Sequence, residues 1–151
     1  MINMPSLEET KLQLNYELSV YREQISMIKR ETERISLTSI DLNNALKAAE
    51  NMRKDHAFVP IGGGAMIKTD ITQSDIMVPI GGQYMVEMNK EEAASEIKKR
   101  IEATKKAVER LTEEFDKIAS KLKSVSAQLK QIQLQTELSQ RVDDNIREDY
   151  R

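Results

Sequence analysis

Gly62-Gly63-Gly64, followed by Lys68, is the stretch whose residue types come nearest to chemistry. Glycines leave backbone amides open to an anion and a lysine can neutralise one, so phosphate binding is the first reaction class to test. A nucleotide-cradling loop needs G-x-x-x-x-G-K-[ST] running from a strand into a helix. Here the lysine falls four residues past the last glycine, inside a strand pattern, and nucleotide binding is not expected. His56 is the single histidine, with no second histidine and no cysteine to share a metal, and its expected role is to face the negative end of a helix. The absence of cysteine excludes thiol catalysis, disulfides and a cysteine-ligated metal. No nucleophile or carboxylate pair stands in a catalytic arrangement. The expectation is a protein that is not an enzyme, with no catalytic residues, cofactor or metal site.

The glycines then need another explanation. All five, with two of the three prolines, fall inside two nearly identical decapeptides, FVPIGGGAMI from Phe58 and MVPIGGQYMV from Met77. Around them the period is two. Val59 and Ile61 share a face, Ala65, Ile67, Thr69 and Ile71 alternate with Met66, Lys68 and Asp70, and Ile76, Val78 and Ile80 align. Tyr84, Val86 and Met88 complete a fourth strand. Gly62, Gly63, Gly81 and Gly82 stand where tight hairpin turns need positive φ. Pro60 and Pro79 cannot donate to a ladder and belong near strand ends.

What positions this middle segment is helix on both sides. Ser6 and Glu9 form a capping box, and Leu7, Leu14, Tyr21, Ile28, Ile35, Leu42 and Ala49 recur every seven residues. A second file holds Leu18, Ile25 and Leu46, interrupted by Lys11, Thr32 and Ser39. Arg53 and Lys54 join His56 at the expected helix end. Asn89 caps a second helix with Glu92. Its files are Ile97, Thr104, Leu111, Ile118, Val125, Ile132 and Ile101, Val108, Phe115, Leu122, Leu129. A compact connector makes the helices antiparallel, so Leu7 should lie near position 137.

The fold class is therefore α+β, mainly α: a long antiparallel two-helix coiled coil joined by two β-hairpins that oligomerise into a β-barrel. Residues 1–56 are the N-terminal coiled-coil helix, 57–88 the double-hairpin assembly region and 89–151 the C-terminal coiled-coil helix, one domain overall. An isolated hairpin is marginal in water and leaves open edges. Val59, Ile61, Ile67, Val78, Ile80 and Val86 are thus the expected assembly residues. Composition agrees with an extended helical chain, 32% charged and only 4% aromatic. Charges of both signs interleave to a net −2, which does not suit nucleic acid. The N-terminal residues lack a secretory pattern and no apolar run reaches about 18 residues. A cytoplasmic protein without nucleic-acid or membrane partners is expected.

The order helix, hairpin, hairpin, helix, with FVPIGGGAMIKTDI and IMVPIGGQYMVEMNKEEA between the helices, resembles the α subunits of the prefoldin family over almost the whole chain. A Val-Pro-hydrophobic-Gly phrase opens the first hairpin of that class, and two hairpins separate it from the β class. Pro79 in the second hairpin and the lack of a long acidic tail depart from the pattern. The resemblance implies a hexamer of two α and four β-type subunits, its hairpins forming a double β-barrel platform from which coiled coils hang. It implies capture of unfolded polypeptides without nucleotide, at the coiled-coil tips, and delivery to a group II chaperonin.

The residues offer a reason for tip binding. Leu134, Leu138, Val142 and Ile146 step by four and drift off the earlier seam. Beyond position 137 only Ile2, Met4 and Leu7 remain to cover Leu138, Val142, Ile146 and Tyr150. Exposed apolar residues rimmed by charge make a binding patch, with Met4 as adaptable bulk. The alternative function is a structural coiled-coil scaffold or adaptor, oligomerised through its β head and docked to one fixed partner.

Overall fold

A computed structural model describes residues 6–150. The elements run α1 (Leu7–Asn51), β1 (His56–Gly62), β2 (Ala65–Asp70), β3 (Ile76–Gly81), β4 (Tyr84–Met88) and α2 (Lys90–Asp149). At 1.5 Å per residue, 45 and 60 residues make helices about 68 Å and about 90 Å long. The chain divides into two compact units. One holds residues 6–32 and 109–150, the other Glu33–Val108 with both hairpins.

Both helices start as their capping residues dictate. Ser6 Oγ accepts the Glu9 amide at 3.2 Å while the Ser6 amide donates to Glu9 Oε2 at 3.1 Å. Asn89 Oδ1 accepts the Glu92 amide at 2.8 Å. Each cap satisfies amides that a helix start leaves free and contributes about 1 kcal/mol. The end of α1 differs from expectation. It stops at Asn51 with no basic residue in its last turn, and the Asn51 side-chain amide donates to the Lys47 carbonyl at 2.8 Å. Arg53, Lys54 and His56 fall beyond that turn, so the helix end is served by a neutral amide instead of a cation.

The heptad seam is present along α1. Leu14, Ile28 and Ala49 are buried and Tyr21, Ile35 and Leu42 half-buried, while the second file is half-buried at Leu18, Ile25, Thr32, Ser39 and Leu46. The polar interruptions are accommodated within their own helices. Thr32 Oγ1 donates to the Ile28 carbonyl at 2.8 Å, and Thr104 Oγ1 on α2 donates to Ile101 at 2.7 Å. A hydroxyl satisfied this way brings no unpaired donor into the seam, so its cost is mainly lost apolar burial. In the second unit, Ala49, Ile97 and Ile101 form the core cluster, with Leu42, Leu46 and Ile76 packed on it. Lys98 Nζ reaches Glu50 Oε1 at 3.4 Å across the helix pair; both side chains are largely exposed, so the pair adds well under about 1 kcal/mol.

Each hairpin is its own two-stranded antiparallel sheet, β1 with β2 and β3 with β4. Pro60 faces Met66 but Gly62 faces Ala65, and Pro79 faces Met85 but Gly81 faces Tyr84. Ile61 and Ile80 are therefore bulged residues without a ladder partner. The strict alternation expected through them ends at the prolines, because an extra residue shifts everything that follows. Gly63 and Gly64 close the first turn at φ +57 and +80. The second turn has Gly82 at φ +58 and Gln83 at φ +65, so a side chain occupies a conformation that glycine adopts freely.

Gln83→Gly removes that strain at the price of a more flexible unfolded chain, a net gain of about 0.5–1 kcal/mol for the second hairpin. Gly81→Ala, at φ +108, places a Cβ in a forbidden region and costs about 1–2 kcal/mol. Thermal unfolding of the two variants should move in opposite directions.

Candidate functional site

Most of the exposed apolar side chains fall on two surfaces, one in each unit, with Met27, Leu37 and Ile40 also exposed along α1. In the second unit the hairpins look alike in sequence and differ in packing. Val78 is 3% exposed, whereas its counterpart in the repeat, Val59, is 47% exposed. Ile76 lies against the Ala49–Ile97–Ile101 cluster, and Val78 lines a groove with Leu42, Ala45, Met52 and Ile97. The groove, about 400 Å³, is almost wholly apolar, with Asp41 and Arg100 at its rim. The Arg100 guanidinium donates to the Pro79 carbonyl and also reaches Glu96 Oε1 at 3.5 Å. The helix ends thus hold one face of the second hairpin, although the sequence argument left both hairpins to other chains.

The first hairpin has no such cover. Ala57 and Thr69 at its base are half-buried, while Val59, Ile61 and Ile67 are exposed on its tip half. Phe58 and Met66 are exposed on the opposite face, paired with Lys68 and Pro60. Ile80 and Val86 are exposed on the second hairpin. Of the six expected assembly residues, five are open to solvent and Val78 is taken by the chain itself.

His56 is placed differently from the expectation. It opens β1 opposite Asp70, and its Nδ1 contacts Asp70 Oδ1. The His56 amide donates to Asp55 Oδ1 at 2.7 Å and the Ile71 amide to the Asp55 carbonyl at 3.0 Å, which closes the base of the hairpin. The residue serves strand pairing, through the carboxylate it meets across the sheet. Among the described residues no group of His, Cys, Asp and Glu could hold a metal, and no helix is long and apolar enough to cross a membrane.

The first unit presents the other surface. On α2 the buried and half-buried positions run through Ile118, Val125, Leu129 and Ile132 to Thr136, and every residue from Glu137 to Tyr150 is exposed. Leu138 is 60% exposed and Tyr150 90%, with Val142 and Ile146 between them also open, and Leu134 already off the seam. Leu7 is exposed at the start of α1, and Ile2 and Met4 lie outside the described residues. Sequence reasoning missed Leu12 and Tyr16, which stand one turn apart on α1, 74% and 67% exposed. Neither belongs to a heptad file, and their only signal was large apolar type at an outer position.

Two long helices carrying a heptad seam and joined through two short hairpins define a class of coiled-coil assembly subunits. The prefoldin subunit family model matches residues 21–135, three quarters of the chain, and the chain belongs to the prefoldin family. It is 26% identical over 100 residues to prefoldin subunit alpha 1 of Methanocaldococcus jannaschii, covering 66% of this chain and 70% of that protein. It is 33% identical over 92 residues to prefoldin subunit alpha of Methanobrevibacter smithii, covering 58% and 63%. The chain thus spans about two thirds of these relatives' length. The α-class likeness read from the doubled phrase agrees with them. Among solved structures, a chain of filamentous PFD from Methanocaldococcus jannaschii superposes with a TM-score of 0.63 at 21% identity, covering 76% of this chain and 98% of that one. The prefoldin beta subunit from Thermococcus strain KS-1 gives 0.59 at 21%, covering 87% and 96%. The family supports a chaperone-type role and assembly with other prefoldin subunits.

The unequal packing of the two valines has a direct consequence. Val78→Ala should cost about 2 kcal/mol in unfolding of the isolated chain, and Val59→Ala less than about 0.5 kcal/mol, in melts that do not depend on dilution. Equal losses would mean that the first hairpin is also covered.

Proposed function

We propose that this chain is an ATP-independent holdase subunit of the cytoplasm. It captures unfolded polypeptides at the far end of its coiled coil and passes them to a group II chaperonin. The observation that carries the reading is the end of the seam at Thr136, with Leu138, Val142 and Ile146 exposed beyond it. Large apolar side chains standing in water on a helix are a liability unless they bind something. Leu7, exposed at the start of α1, is assigned to client binding with them, and Ile2 and Met4 are assigned on their apolar type and position in the sequence alone. Each patch is small and binds weakly alone. Several patches on one assembly engaging one client raise avidity by about 10² to 10⁴ without new contacts.

Assembly falls to the hairpins. Val59, Ile61, Ile67, Ile80 and Val86 are the surface that β-type prefoldin subunits would cover, two α chains with four β chains, and Val78 fixes the second hairpin to its own helices. Family membership and the uncovered strands support this arrangement. A scaffold docked to one fixed partner, the alternative, would leave aggregation of unrelated proteins unchanged.

Truncation after Thr136 should keep the oligomer and abolish suppression of aggregation of a chemically unfolded client, followed by light scattering. Equal suppression by the truncated complex refutes the tip assignment. The double variant Val59→Asp, Ile67→Asp should keep the helical signal and lose the oligomer in native mass measurements. An intact oligomer would place assembly elsewhere.

A further inference from the structure

We infer that the exposed end of the first unit selects client segments in which apolar residues are flanked by lysine or arginine. The inference rests on the holdase reading and names the substrate class of the same surface. From Glu137 to Tyr150 five carboxylates stand against two arginines, a formal −3 in a stretch where the whole chain carries −2. The acids are placed among the apolar side chains. Asp143 lies three residues before Ile146 and seven before Tyr150, and Asp149 three after Ile146 and seven after Val142. These spacings put both carboxylates on the apolar side of α2. Arg147, four residues after Asp143 and three before Tyr150, stands at the edge of that side and offsets part of the Asp143 charge, leaving Asp149 and the net −3 of the stretch. Arg141, at the edge beside Leu134 and Leu138, has Glu137 four residues before it and Asp144 three after, both within pairing distance along a helix.

The helix itself adds to the field. Glu148 and Asp149 share the last turn of α2 with the single cation Arg147, two carboxylates to one guanidinium, where the dipole is already negative and the final carbonyls lack intrahelical partners. Carboxylates there are unfavourable for the free helix, and a cation brought by a ligand relieves them. On α1, Leu12 and Tyr16 repeat the combination, with Glu8 four residues and Glu9 three residues before Leu12. A shallow groove of about 560 Å³ is lined by Glu9, Leu12, Gln13, Asn15 and Tyr16. Lys11 beside it is the single cation of that turn, and the Glu9 carboxylate is partly engaged with the Ser6 amide. Apolar contact area set among carboxylates fits a segment of mixed apolar and cationic residues and repels an acidic one. Long cationic side chains lay their methylenes on the apolar stripe while the charge meets a carboxylate.

The test uses the full chain assembled with a β-type prefoldin subunit, and three fluorescent peptides that share one apolar core and carry flanks of lysine, serine or glutamate. At low salt the lysine-flanked peptide should bind about tenfold tighter than the glutamate-flanked one, several carboxylates acting within about a Debye length. In about 0.5 M salt the two should agree within about twofold. The double variant Asp143→Asn, Asp149→Asn should reduce the low-salt ratio. Equal affinities for lysine and glutamate flanks, with the serine peptide still bound, overturn charge selection and leave the holdase reading standing. Failure of all three peptides to bind overturns both.

Discussion

A two-stranded sheet has two faces and two edges and can cover none of them with its own residues. That constraint governs the second unit, where two nearly identical hairpins occupy different surroundings. The second hairpin rests one face on the helix ends through Ile76 and Val78, and Arg100 secures the Pro79 carbonyl. Burying Val78 and half-burying Ile76 in this way contributes roughly 2–4 kcal/mol, enough to hold a short hairpin in place. The first hairpin has only Ala57 and Thr69 half-buried at its base and exposes apolar residues on both faces. In the assembly we propose, a neighbouring chain supplies the missing cover, in keeping with membership of a family whose subunits assemble.

The same bookkeeping of covered and uncovered surface applies along the helices. Where both helices supply residues, the seam is buried and its polar members bond to their own backbone, as Thr32 and Thr104 do. Where the seam ends, at Thr136, apolar residues continue without cover. The proposed capture of clients rests on that mismatch of lengths: α2 has 60 residues and α1 has 45.

Much of this was legible in the residues. The seven-residue recurrence from Leu14 to Ala49 reads out as burial, and Ser6 and Asn89 cap the helices they announce. Glycine pairs mark both turns. What could not be read depends on tertiary contact or on geometry that departs from an ideal strand. Val59 and Val78 stand in the same phrase, so no local pattern separates the exposed one from the buried one. Ile61 and Ile80 leave the ladder because each strand carries one residue more than its partner, a mismatch visible only once the pairing is known. Gln83 takes positive φ because the turn geometry of its hairpin overrides its own preference. His56 found Asp70 across the sheet, fourteen residues away in sequence. The uncovered end of α2 was readable because it rests on counting, and Leu12 and Tyr16 were not, because they lie outside any period.

The most direct test of the account is native mass spectrometry of this chain alone and co-expressed with a β-type prefoldin subunit. The account predicts that the first hairpin draws partners, so that co-expression yields a defined complex of two copies of this chain with four of the other. A monodisperse monomer at micromolar concentration, unchanged by the second subunit, would show that the hairpins need no company and would contradict the central claim.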